Sequence, residues 1–473
     1  MKPPTPTPAT RRFAGAAVVA GVLAAIALPG SAVGLGAFLV SVAIAGATCT
    51  LSAFPVRGPH ACLAALAVLL AGAAVLRDAR WLVAIDLAGA ACLASLAASR
   101  ARSPLAVVHG AFALASRLPA APAFVAWSAG VRLHPEKVRT ALPAARGLIL
   151  AGALALTFGV LFASADAAFA QLTGELLSPD VELGLLPARV AVFIGAVSVA
   201  GGLATVALAG PAKERSARGA SATRRSEWVI ALAVLNLLFA AFVAVQLSVL
   251  FAGNDHVLKT TGLTYAEYAR EGFGQLLVAS LLTLAVLGAA WPHASRRAGR
   301  PEALELLLGL LCVLSLVVLV SALRRLGLYE DAFGFTVARL SGHAAILWIG
   351  GVLILVMAAG VLRRTRWLAL AIAGFTGLSL LAFTLVNPEG LVAERNVDRF
   401  RDKGKIDIDY LRHLSADATP ALATLPRPRA RCAVADQAAR LQEDDGFFGA
   451  NAARAGARRT VARLGGQPSQ KTC

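Results

Sequence analysis

Eleven stretches of this chain stay apolar for close to the ~20 residues that carry a helix across a ~30 Å hydrocarbon core. They cover residues 13–29, 31–54, 60–76, 80–98, 147–168, 187–209, 227–251, 272–291, 303–322, 344–362 and 367–386. The runs are continuous rather than alternating. Membrane strands would alternate and stop after about ten residues, so helices are the expected element. The first four runs are rich in Ala and Gly, which suits close helix–helix contact. The pairs Gly201-Gly202 and Gly350-Gly351 are expected to loosen the helices that carry them.

The polar segments between the runs alternate in charge. Counting every second segment from the N-terminus gives 22 Lys and Arg; the intervening segments, without the C-terminal tail, carry eight. The second set also holds most of the loop acids, among them Glu175, Asp180, Glu267, Glu330 and Asp331. Basic loops stay on the cytoplasmic side. Eleven spans then put the N-terminus inside and the tail outside.

The expected division is a disordered cytoplasmic N-terminus over 1–12, four Ala/Gly-rich spans over 13–98 and a basic cytoplasmic loop over 99–146. Seven further spans follow over 147–386, then an extracytoplasmic helical tail over 387–473. Within the basic loop, Leu105 to Leu118 has an apolar face that can lie in the inner headgroup layer. In the tail, Asp407 and Asp409 are placed to cap a helix carrying Tyr410, Leu411 and Leu414. Thr419-Pro420 is a helix start, and residues 429–442 and 450–464 are amphipathic. The tail reads as a small helical appendage, not an independent enzyme domain.

Composition agrees with this pattern. Of 473 residues, 58% are hydrophobic and 15% charged, and the mean hydropathy is +0.70. Soluble domains average about 25% charged residues, so a wholly soluble, disordered or collagen-like chain is excluded. The fold class is all-α, a polytopic transmembrane bundle of about eleven helices with a short extracytoplasmic helical tail. The net charge of +18 would suggest nucleic acid in a soluble protein. Here it sits in short loops beside apolar runs, so the expected partner is the lipid bilayer and no nucleic acid. Heavy use of Ala and Arg over Lys suits a GC-rich bacterial genome and a bacterial cytoplasmic membrane.

Catalytic signatures are missing. No CxxC pair, metal-spaced His set, P-loop, dinucleotide glycine fingerprint or GxSxG elbow occurs, so neither a metal nor a cofactor is expected. Cys49, Cys62, Cys92 and Cys312 fall in spans as small packing residues. Cys432 and Cys473 lie in the tail, where an oxidising compartment would allow a disulfide; free thiols are the expectation. An ionisable residue inside a span is a functional candidate by default. Asp86 is the best of these, and a structural pairing with Arg77 or Arg80 is the competing account. Asn236 and Gln246 suit interhelical hydrogen bonds.

The outer segments hold three polar clusters. The first contains Tyr265, Glu267 and Arg270; the second Arg325, Tyr329, Glu330 and Arg339; the third Asn387, Arg395 and Asn396. Carboxylates and arginines converging there would suit acid–base work or a headgroup. Salt bridges docking the tail onto the loops are the plainer expectation.

The same clusters carry a resemblance. "LTYAEYAREGFGQL" (263–276), "RLGLYEDAFGFTVAR" (325–339), "NPEGLVAERNVDRF" (387–400) and "KIDIDYLRHLSADATPAL" (405–422) resemble a bacterial multi-pass membrane family, domain of unknown function 4173, related to family 4153. The resemblance covers about the second half of the chain. It implies a topology and an envelope location; the family has no assigned chemistry, so no catalytic residue carries over. The expectation is a non-enzymatic envelope protein for sensing, interaction or scaffolding, with an envelope protein or lipid as partner. The alternatives are a transporter of a small solute or ion, and a membrane-embedded transferase acting on an envelope lipid.

Overall fold

The computed structural model describes residues 6–51, 58–131, 185–210, 222–251, 273–290, 303–362, 365–442 and 444–465, with isolated positions between 143 and 162. Every regular element among the described residues is helical. In chain order the first are α1 (Pro8–Ala27), α2 (Leu35–Cys49), α3 (Pro59–Ala71), α4 (Ala73–Leu76), α5 (Arg80–Ser99), α6 (Pro104–Arg117) and α7 (Ala121–Ser128). Then come α8 (Leu186–Ala209), α9 (Ala222–Phe251), α10 (Phe273–Ala290), α11 (Ala303–Phe333), α12 (Val337–Val361) and α13 (Leu368–Val386). Among the described residues, eight spans are long and apolar enough to cross a membrane: α1, α3 with α4, α5, α8, α9, α11, α12 and α13. Helices α2 and α10 are equally apolar but shorter. The expected run at 147–168 lies outside the described residues apart from isolated positions.

Several boundaries differ from the sequence expectation. Helix α1 starts at Pro8, where the Thr7 hydroxyl caps the Thr10 amide, so residues 8–12 are helical rather than irregular. The Arg324–Asp331 cluster is not a loop. Helix α11 runs through it to Phe333, and α12 already begins at Val337 on a Thr336 cap. At 31 residues α11 is about 46 Å long, well beyond a ~30 Å core, so one end of it projects.

Close approach, not loosening, explains the glycine pairs. A Cβ on Gly201 would meet the Ala121 carbonyl oxygen at 2.8 Å, and one on Gly202 would meet Leu114 at 2.6 Å. A Cβ on Gly351 would collide with the Phe375 ring of α13, whereas Gly350 has its nearest neighbours at 3.8 Å. Lipid tails are as apolar as the helices, so association depends on such close contacts. Helices α9 to α12 share one core, built on Leu232, Leu276, Leu311 and Ile349. Helices α1, α2, α7 and α8 share another around Phe13, Ala47, Val125 and Ala200. Helix α13 links the first group to a third core shared by α3 and α5. It meets Leu66 and Leu93 at Gly377 and takes the Trp348 indole bond on Thr376 (3.0 Å).

The basic segment after α5 folds back on the bundle. Ser95 Oγ donates to the Gly110 carbonyl (2.6 Å) and accepts from the Leu114 amide (2.9 Å), seating α6 on α5. The opposite face of α6 exposes Leu105, Val108 and Phe112.

Beyond α13 the chain continues as α14 (Pro388–Lys403), α15 (Ile408–Arg412), α16 (Thr419–Leu422), α17 (Arg427–Ala433), α18 (Ala435–Arg440) and α19 (Ala452–Arg463). Asp407 caps α15 through the Tyr410 amide (3.0 Å), as its position before the helix predicts. The expected single helix over 429–442 is two, separated at Val434. Val392, Val397, Leu411, Leu414, Leu422 and Val434 give the tail its own apolar core.

Candidate functional site

The tail lies across one end of the bundle and is held there by buried polar groups. Asn387 makes the turn into it. It closes α13 in the left-handed conformation (φ 59°), which Asn tolerates better than most residues. Its Oδ1 then accepts from the Gly390 amide (3.2 Å) to open α14.

Asp417 is the centre of the seam. Its side chain is fully buried, and Oδ2 accepts from the amides of Asp78 (2.7 Å) and Ala79 (3.0 Å), which precede α5. A tail carboxylate thereby caps a membrane helix 338 residues earlier in the chain, where the helix dipole favours negative charge. Arg77 approaches Oδ1 at 3.4 Å and donates to the Thr384 carbonyl (2.7 Å) and the Leu385 carbonyl (2.8 Å) at the end of α13. Burial pushes the Asp417 carboxyl above the ordinary aspartate range, against the opposing pull of the two amides, Arg77 and Ser415. Beside it, Glu389 accepts from the Trp81 indole (2.8 Å) and the Ser415 amide (2.5 Å).

A second anchor comes from α19. Arg454 binds Asp78 (2.6 Å) and Asp445 (2.9 Å), and Asn451 donates to the carbonyls of Ala74 (3.0 Å) and Arg77 (2.8 Å). The Leu35 amide donates to Ala450 and the Gly36 amide to Phe448, so tail backbone caps α2. This approach needs Gly34, where a Cβ would lie 2.5 Å from the Gly449 carbonyl.

A third anchor sits on the α11–α12 corner. Asn396 donates to the Phe335 carbonyl (2.8 Å) and accepts from its amide (3.2 Å). The Tyr410 hydroxyl accepts from the Val337 amide (2.8 Å) at the start of α12. Arg339 stacks over the Tyr329 ring (4.0 Å) and donates to the Gly334 carbonyl. Buried Glu330 stands 3.5 Å from the His343 ring.

The sequence candidates therefore divide. Tyr329, Glu330, Arg339 and Asn396 gather at the α11–α12 corner, with Arg395 exposed near them. Asn387 belongs to the Asp417 seam. Arg325 lies about one turn back along α11 and binds Gln246 (3.0 Å), which also accepts from Ser321. Tyr265, Glu267 and Arg270 lie outside the described residues. Asp86 pairs with neither Arg77 nor Arg80. It is fully buried, its Oδ2 accepts from the Thr384 hydroxyl (2.6 Å), and its Oδ1 has no hydrogen-bond partner among the described residues.

Sequence reasoning missed Asp78, Asp417, Asn451 and Arg454. Only Asp417 carried a signal, since it stands within the stretch 405–422 that bears the resemblance. Among the described residues no group of His, Cys, Asp or Glu is arranged to hold a metal. Cys432 is disulfide-bonded, contrary to the expected free thiol, and Cys473 lies outside the described residues; Cys49, Cys62, Cys92 and Cys312 are free.

A family profile described as a domain of unknown function, DUF4153, matches residues 64–425. It includes much of the Ala-rich first half, beyond the stretches that carry the resemblance. No curated protein and no solved structure matches the chain.

Proposed function

The chain belongs to the DUF4153 family, and from that premise we propose that it is an integral protein of the bacterial cytoplasmic membrane whose outer tail is an interaction platform. In this reading the N-terminus is cytoplasmic and the tail extracytoplasmic. The observation that carries it is the alternation of loop charge, 22 Lys and Arg on one side against eight on the other with the tail left out. At the tail end, Arg77 and Arg454 are matched to Asp417, Asp78 and Asp445. At the other end, Arg11, Arg12, Arg102 and Arg117 are exposed with no acidic partner among the described residues. Basic short loops are held on the cytoplasmic side. The disulfide at Cys432 suits an oxidising compartment.

A scaffolding or sensing role fits a tail whose polar groups are spent on docking rather than gathered around a reaction centre. The test is single-cysteine labelling in intact cells, in a background with the free cysteines replaced. An impermeant maleimide is expected to modify Lys405→Cys in whole cells and Arg102→Cys only after lysis. The reverse pattern would invert the topology. Photo-crosslinkers at exposed Arg427 and Arg429 are expected to capture one envelope protein reproducibly; capture of none would remove the platform reading.

A second reading, ion- or solute-coupled transport, is favoured by Asp86 alone. Flux into proteoliposomes that disappears on Asp86→Asn would establish it, and absence of flux from the intact chain across a solute panel would discard it.

A further inference from the structure

A cleft of about 410 Å³ opens between α14 and α16. Its lower lip is Val386, the last residue of α13, and its walls continue through Leu391 and Glu394 to Asp398 and Arg401. Three observations define what fits it. The first is position: Val386 and Leu385 are more than half exposed, as is Leu378 two turns below, so the cleft is continuous with a lipid-facing stripe of α13. The second is the order of polarity along α14. Apolar Val386 closes α13 at one end, and beyond Leu391 the carboxylates of Glu394 and Asp398 follow about one and two turns along α14.

The third is charge balance. Asp417, which also lines the cleft, is neutralised by Arg77, and Asp398 pairs with Arg401 at 3.2 Å. Glu394 is exposed and has no hydrogen bond or ion pair among the described residues. One uncompensated negative charge therefore faces a cleft whose other end opens at exposed Val386, beside Asn387 and the paired Asp417. The positive end of the α14 dipole lies between these two levels.

We propose that this cleft holds the headgroup of a phospholipid bearing an ammonium group, drawn from the leaflet on the tail side. The acyl chains lie along Leu378 and Leu385, the phosphate at the first turn of α14, and the ammonium on Glu394. The inference adds a ligand class to the platform reading and does not depend on which way the tail faces.

The test uses the full chain in nanodiscs of phosphatidylglycerol with increasing phosphatidylethanolamine, and counts retained lipid by native mass spectrometry. Both bilayer faces are open there, so an inverted topology leaves the result unchanged. Preferential retention of one phosphatidylethanolamine is expected, with the preference falling about tenfold in Glu394→Gln, the loss of one charge-assisted bond. Ala421→Trp, which fills the cleft at the α16 wall, is expected to abolish retention while leaving the melting temperature near wild type. Equal retention of the two lipids, or an unchanged preference in Glu394→Gln, would overturn the proposal. So would displacement of the bound lipid by soluble glycerophosphoethanolamine at equal concentration, which would make the ligand a free amine.

Discussion

Asp417 shows how much one tail residue carries. It satisfies two amides ahead of α5, neutralises Arg77 and is closed off from water. Removing one partner of a buried pair leaves the other unpaired. Asp417→Ala is therefore expected to destabilise the protein by about 3 kcal/mol, read by thermal unfolding in detergent. Asp417→Asn tests the ionisation separately. Because burial raises its folded value, the docked tail binds this proton more tightly than the free chain does. The carboxyl's contribution is then fully present below the ordinary aspartate pKa of about 3.9 and is lost as pH rises through the folded value. Wild type should lose stability over that acidic range, and Asp417→Asn should lack that slope. Which residues Asp417 meets was not legible in the sequence, because it is one acid among 27 and the two amides and Arg77 lie more than 300 positions away.

At the scale of helices, apolar periodicity located the elements well and their ends poorly. Ten of the eleven apolar runs have a described helix on them. Ends were misjudged where a helix outlasts its apolar run, as at Arg324–Phe333, because helical structure continues wherever caps and neighbours support it while the apolar run stops earlier. Glycine was misjudged for a related reason: its sequence context cannot distinguish a loosened helix from a seat for a neighbour. The pair at 350–351 separates the two. Gly351→Ala is expected to cost about 1–3 kcal/mol by overpacking against Phe375, while Gly350→Ala should be near neutral. Adding Phe375→Leu to Gly351→Ala should restore part of the loss. Unfolding midpoints of the three variants in one detergent decide it; equal effects at both glycines would refute the packing account.

Across the whole molecule, the tail binds helix ends from both groups. It meets α2 through the Ala450 and Phe448 carbonyls, the start of α5 through Arg454, Asn451 and Asp417, and α12 through Asn396 and Tyr410. It is a common cap rather than a free appendage. Arg454→Ala should release α19 first, seen as new tryptic cleavage after Arg440 or Arg458 while the membrane core stays protected; unchanged cleavage would mean that α19 is held by other contacts. The sequence by itself determined that the chain is helical, that it suits a bilayer and that basic segments alternate along it. Those properties are local sums of transfer energy and charge, and they survive without knowledge of neighbours. The tertiary structure alone decided which acid meets which arginine, which glycine receives a ring and where the cleft opens. These depend on pairs of residues far apart in the chain, and a buried polar group is defined by its partner rather than by its place in the sequence.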